Sequence, residues 1–449
     1  MSIKSTTVQS TTRGQASERA PWQLAWERVG RVAPGLDWLA QKRTAAFARI
    51  EESGLPNTNC EAWRHTSLAA YTERWATYLA TAPDSGPLRA PALPTRPTAD
   101  SDIISIVDGV VISERAGSQP GLTVCSLRHP TTGLQQRMEG LLSRSEQWPP
   151  DSLQDLNTAL LTDAVFIGTE PGYCPSKPIH VRLQSGASSA LSQPRIIVEL
   201  APDSRLTLIV EHTGDGGALV NAVSHLWLGH GSHLDLVRVQ LLPDDGMLTD
   251  TTCLSLAEAA VVTVTSVDLG GQLSRQALTV LLAGAGSTAT VHGMFLADGD
   301  RHIDNRTRIE HQAPRTTSRE TFRGIADGRG HGIFNGQIIV LPGAAGSDAT
   351  LTNRNLLLAA TAEIDTKPEL EIYVDEVRCS HGATTGQLDM NALFYLRSRG
   401  LDPVAARQVL TAAFLREGLT GIAMPELRTR LEARLEARLG GVLGTEVQE

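Results

Sequence analysis

Between about residues 165 and 377 the sequence keeps returning to one local pattern, a turn of small residues followed by a run rich in Val, Leu and Ile. The turns precede strands at Ser204 (APDSRLTL), Ser232 (GHGSHLDL), Ala260 (AEAAVVTV), Ser287 (GAGSTATV), Ser318 (RTTSRETF) and Ser347 (GAAGSDATL), at intervals of 28, 28, 27, 31 and 29 residues. Strands recurring at a fixed interval, with hardly any convincing helix between them, are the signature of a stacked architecture. Its simplest form is a β-helix whose coils each bury a strip of Val, Leu and Ile. A β-sandwich is the competing fold, but it needs no constant interval, and its hairpins call for more two-residue Asn-Gly or Asp-Gly turns than this chain contains.

The flanks have other periods. Residues 1–20 read as a disordered lead. Over 21–80 apolar residues recur at helical spacing (Trp22, Leu24, Trp26, Val29, then Leu36, Leu39, Phe47, Ile50), and five of the seven tryptophans fall there, which predicts an N-terminal helical region. Residues 81–102 carry five prolines among small polar residues and predict an extended linker. The β-helix core, with its lead-in segment, then spans 103–387, with further strands expected at Ile103–Ile112 and Leu122–Leu127 and a helix near Ser152–Leu161. Residues 388–449 read as a C-terminal helical domain. Asp402 and Pro403 supply a cap and a first helical position, and Leu427, Leu431, Leu435 and Leu439 line one flank of a final amphipathic helix.

Charge and motifs narrow the function. A net charge of -9 argues against nucleic-acid and anionic-membrane partners, which call for a basic face. No run of 18 apolar residues appears, and the N-terminus lacks the apolar core of a secretory signal, so the expected location is cytoplasmic. The five cysteines, Cys60, Cys125, Cys174, Cys253 and Cys379, include no C-x-x-C pair, which fits a reducing compartment. There is no Gly-Lys dipeptide for a phosphate-binding loop, no G-x-S-x-G elbow and no H-E-x-x-H.

Three constellations could carry chemistry. Cys60, Glu61 and His65 lack a fourth ligand nearby and read better as the start of a helix than as a metal site. His302, Asp304, Arg306, Arg308, Glu310 and His311 alternate along one predicted strand. They fit either the charged groove of a β-helix polysaccharide lyase or hydrolase, or a solvated face with cross-strand charge pairs, and the second is the simpler reading. The third is Cys379 and His381. Leu370, Ile372 and Val374 alternate with Glu369, Glu371 and Tyr373 just before them, which predicts strand, and in a strand residues at i and i+2 share a face. Thiol and imidazole could therefore address one ligand while Ser380 turns away. A buried thiol beside a surface imidazole is the plainer alternative.

Taken together, HIDNRTRIEH (302–311), LTNRNLLL (351–358), AEIDTKPELEIYVDEVRCSHGATTGQLD (362–389) and ALFYLRSRGL (392–401) resemble the SufB/SufD family of iron–sulfur cluster assembly proteins. The segment GLPNTNCEAWRHTSL is similar to the E-x-W-x-x-T stretch of the family's SufD branch. The resemblance implies a right-handed parallel β-helix flanked by helices, acting as a non-enzymatic scaffold. It implies pairing with a SufB-like paralogue through the β-helix end, and binding of a SufC-like ABC-type ATPase through the C-terminal helices. It implies that His381 lies at the paralogue interface and helps hold a transient iron–sulfur cluster shared with a SufB cysteine, with Cys379 the weaker metal ligand. It leaves open whether a reduced flavin binds the complex. Thiolate and neutral imidazole are both iron ligands, and a mixed site can be more labile than four thiolates, as a transfer scaffold requires.

Overall fold

One period of the sequence is one coil of a parallel β-solenoid of about eight turns. The computed structural model describes residues 19–30, 35–81, 101–115, 119–186 and 191–444; all but the last two residues of the expected disordered lead (1–20) and nearly all of the Pro-rich linker (81–102) lie outside them. Each coil contributes one strand to each of two sheets. Ile179–Ser185, Arg205–Gly214, His233–Gln240, Val261–Asp268, Thr288–Ala297, Thr317–Ala326, Ser347–Leu357 and Val377–Gly386 stack in parallel as sheet A. Val165–Thr169, Arg195–Leu200, Leu219–Leu228, Met247–Leu256, Leu273–Leu282, His302–His311, His331–Val340 and Glu363–Ile372 form sheet B. Asp102–Val107 and the antiparallel Val110–Arg115 extend sheet A at its first coil, and antiparallel Leu122–Ser126 extends sheet B.

Because the coils stack in register, each inward position continues as a column. Leu236, Val264, Val291, Glu320, Leu351 and His381 are successive partners in one such column. All but His381 are buried, and each Leu or Val so placed contributes on the order of 2 kcal/mol of burial free energy. The corners explain the period. Asp203, Gly231, Ala259, Gly286, Arg315 and Gly346 all have positive φ, one per coil, and each precedes a buried small residue that opens a sheet A strand. At four of these corners the small residue's hydroxyl (Ser204, Ser232, Ser287, Thr316) donates to the carbonyl three residues back. In the fifth coil the corner residue is therefore Thr316; Ser318 lies two residues further on, inside the strand.

Helices cover the outer faces. In the N-terminal half α1 (Pro21–Ala25), α2 (Ala40–Ser53), α3 (Ala69–Thr81), α4 (Thr132–Arg144) and α5 (Ser152–Ala159) lie on sheet B. Trp75, Tyr71 and Leu156 pack with Leu219 and Met247, while Met138 and Leu141 pack with Phe166 and Trp227. α4 was not anticipated, since its Gly133 and Gly140 and many polar residues weaken its apolar period. At the other end come α6 (Met390–Ser398), α7 (Pro403–Arg416) and α8 (Pro425–Gly444). Asp389 and Asp402 cap α6 and α7 through hydrogen bonds from Asn391 N and Ala405 N. The Leu427, Leu431, Leu435, Leu439 row of α8 lies on the outer face of sheet A against Ile209, Val237, Val267 and Leu296.

Candidate functional site

Among the described residues the last coil has no coil above it. Its strands, Glu363–Ile372 in sheet B and Val377–Gly386 in sheet A, are the terminal members of their sheets. Each offers an unpaired backbone edge, the kind of surface that takes up a further strand. The inward residues of earlier coils are sealed by the next coil. Here they stay open: His381 and Ile372 are exposed and Cys379 is half-buried.

Register fixes which way the thiol and imidazole point. Cys379 is the partner of Ala349 and His381 of Leu351, and both partners are fully buried inside the solenoid. The pair therefore shares the inward-facing side of the strand, Ser380 lies on the other side, and the shared face is the open end of the molecule. Burial, then a hydrogen bond from the Ala349 backbone in the opposite sense, and the Asp348 carboxylate leave the Cys379 thiol with a raised pKa, so it is held protonated at neutral pH. A protonated thiol is a poor metal ligand until something displaces its proton.

Beneath the open coil the interior turns polar. Asn353 and Asn355 are buried, and their carboxamides bond each other reciprocally at 2.6 and 3.1 Å. Thr366 of the last coil donates to Asn353 Oδ1 at 2.8 Å. One coil further in, Glu320 lies below Leu351 in the His381 column and accepts from Thr307 Oγ1 at 2.5 Å, and burial pushes its carboxyl up to about 7. These residues were missed in the sequence. The available signal was alternation: Asn353 and Asn355 share the face of Leu351, and Glu320 that of Phe322.

The other two constellations are dispersed or bound up structurally. Cys60 is exposed, Glu61 pairs with Lys367 at 2.8 Å, and His65 Nδ1 lies 3.0 Å from Asp365 Oδ2, so the three do not converge. A short 3-10 turn at Glu61–Trp63 follows Cys60, as a helix start requires. On His302–His311 one cross-strand charge pair is present, Arg275 of the neighbouring strand with Asp304, while Arg308 bonds Glu310 within its own strand and Gln337 across to the next. The Asp304 part of that face is not solvated, however, while Arg308 stays partly exposed. Asp304 is fully buried, Trp63 lies under the Arg275 guanidinium at 3.6 Å, and Thr66 donates to Asp304 at 2.6 Å. The N-terminal segment covers the strand there, and both carboxylates expected of a hydrolase groove are bonded to arginine.

Comparison with known proteins accounts for most of the chain. Residues 182–414 match the SufBD core domain of SUF system FeS cluster assembly, and residues 33–181 match the SufBD protein N-terminal region. The iron–sulfur cluster assembly protein SufD of Escherichia coli is 29% identical over 82% of this chain and 86% of its own length. A SufBD family iron–sulfur cluster assembly protein of Synechocystis is 29% identical over 62% of this chain and 64% of its own. One of Mycobacterium leprae is 29% identical over 57% and 67%.

Proposed function

Since the chain belongs to the SufBD family of the SUF iron–sulfur cluster assembly system, we propose that it is a SufD-type, non-catalytic scaffold subunit whose open terminal coil docks a SufB-like paralogue and presents His381 to a nascent cluster. The observation that carries this reading is the position of His381, an inward-column residue left exposed because the solenoid stops there. A paralogue with the same coil geometry would continue both sheets by edge pairing and would enclose the space above Cys379 and His381. The iron–sulfur cluster is cargo shared across that junction, and the second chain supplies the thiolates that this one lacks. His381 is the imidazole ligand in this role, and Cys379, half-buried on the same strand face, is the auxiliary one.

The ATPase partner docks on the C-terminal helices, on a face other than the leucine row of α8. That row is covered by sheet A. Met390, Phe394 and Tyr395 of α6 and Val409 of α7 are exposed and supply the apolar surface a partner would cover. No helix among the described residues is long and apolar enough to cross a membrane, and we place the complex in the cytoplasm.

Co-expression of the chain with a SufB-like paralogue and an ABC-type ATPase, followed by affinity purification, tests the two surfaces separately. Ile372→Asp at the open coil should lose the paralogue and keep the ATPase; Phe394→Asp should do the reverse. Retention of both partners by both variants would overturn the assignment.

A further inference from the structure

We propose that His331, Asp365, Glu363 and His65 form a binding site for a borderline-soft divalent cation, Fe2+ or Zn2+, on the outer face of sheet B, separate from Cys379 and His381. His331 and Glu363 are direct partners on adjacent strands, and Asp365 follows Glu363 by two residues on the same face. A nitrogen of His331 and one oxygen each of Glu363 and Asp365 lie within 4.8 Å of one another. His65 approaches from the N-terminal segment. Its Nδ1 and the Nε2 of His331 both converge on Oδ2 of Asp365, at 3.0 and 2.8 Å. Glu363 is exposed and its carboxylate has no ion-pair partner among the described residues.

The donor set is two imidazoles and two carboxylates. Two carboxylates neutralise a divalent ion, and a pair of histidines with carboxylate oxygen is the ligand chemistry of zinc and of non-haem ferrous sites. At bond lengths of about 2.1 Å the ligands of such an ion stand roughly 3.4 Å apart, so side-chain shifts of an ångström or so would close His331, Glu363 and Asp365 around it, and His65, beside Asp365, is the fourth donor. The next residue outward also fits. His302 is the cross-strand partner of His331, meets its ring edge-on at 4.8 Å between centroids, and is itself fixed by Thr66 Oγ1 at 3.0 Å from Nε2, so it packs against the proposed ligand from the neighbouring strand. A cleft of about 610 Å3 runs past His65 and Asp365, giving an ion a path from solvent. Occupancy would tie residue 65 to the last coil, fastening the N-terminal cover across the end of sheet B.

The test uses the full chain freed of metal by chelation and titrated with Co2+. Cobalt in this nitrogen and oxygen set gives visible d–d bands without the near-ultraviolet thiolate charge-transfer band that ligation by Cys379 would add. Wild type and a Cys379→Ser/His381→Ala double variant should give the same bands, and Zn2+ should displace the cobalt. His331→Gln and Asp365→Asn should each weaken binding more than tenfold, since even substitutions outside the ligand shell cost ~10–100-fold. The thermal midpoint should rise with Zn2+ in wild type and not in Asp365→Asn, with circular dichroism confirming that the variant is folded. Bands that survive His331→Gln, or that vanish in the Cys379→Ser/His381→Ala variant, would overturn the site. Partner binding does not enter this readout, so its outcome is independent of the proposed scaffold role.

Discussion

Arg430→Met is the sharpest probe of how α8 is fastened to the solenoid. Glu211 lies buried on the outer face of sheet A, and Arg430 of α8 reaches it with both terminal nitrogens, at 2.8 and 3.1 Å, while His180 Nε2 lies 2.8 Å away. Burial alone would raise the Glu211 pKa, but the close approach of His180 and the hydrogen bonds and charge of Arg430 outweigh it and hold the carboxylate down from 4.5 to about 2. At 1.36 kcal/mol per pKa unit that depression corresponds to about 3 kcal/mol of folded-state preference for the ionised form. The sign follows from the direction of the shift: the stabilisation is present above pH 4.5 and is lost as pH falls through about 2. Removing Arg430 leaves the buried carboxylate without its bidentate partner, with only His180 and the charge of Arg182 beside it, so Arg430→Met should destabilise the protein by about 3 kcal/mol at neutral pH. It should also flatten the acid limb of the stability curve. Glu211→Gln combined with Arg430→Met should recover part of the loss, because the double variant no longer buries the carboxylate, while the nearby Arg182 loses its counter-charge. Urea unfolding followed by circular dichroism, at neutral pH and in the acid range, measures all three. A single-variant loss below about 0.5 kcal/mol, the size of an ordinary surface change, would refute the reasoning.

Glu320 has the opposite sign: its carboxyl is raised to about 7 by burial, so its contribution is favourable below 4.5 and declines as pH rises through 7. Glu320→Gln should therefore stabilise the chain at alkaline pH and change little in acid, read from thermal midpoints across pH. At the solenoid corners Ala259 holds a φ of 54°, and Ala259→Gly should be neutral or stabilising by up to about 1 kcal/mol in urea unfolding; a clear loss would mean that its side chain matters more than its backbone. A Cβ at Gly293 would stand 2.0 Å from the Phe322 ring, so Gly293→Ala should lower the midpoint, by on the order of 1–3 kcal/mol in equivalent stability.

Much of this was legible because a solenoid repeats its local rules. The turn-and-strand period announced the coils. It set one anchor two residues late, at Ser318, because RTTS offers three hydroxyl residues in a row and only the positive φ of Arg315 shows that Thr316 turns the corner. The alternation around Cys379 and His381 put them on one face correctly, but it carried no information on whether that face looked into the solenoid or away from it. The answer depends on Ala349 and Leu351, 30 residues earlier in the chain. The leucine row of α8 was visible as an amphipathic face, yet its covering surface is assembled from five separate sheet A strands. The His331, Asp365 and His65 cluster was invisible for the same reason: its members come from three segments up to 300 residues apart.

The most direct test of the scaffold role is the cluster yield of the co-expressed complex bearing His381→Ala. The substitution lies on an exposed position of the terminal coil, so the subunits should co-elute on gel filtration as they do for wild type. Visible absorbance and iron content per complex should fall sharply, and Cys379→Ser should lower them less. Wild-type iron content and absorbance in an intact His381→Ala complex would contradict the account.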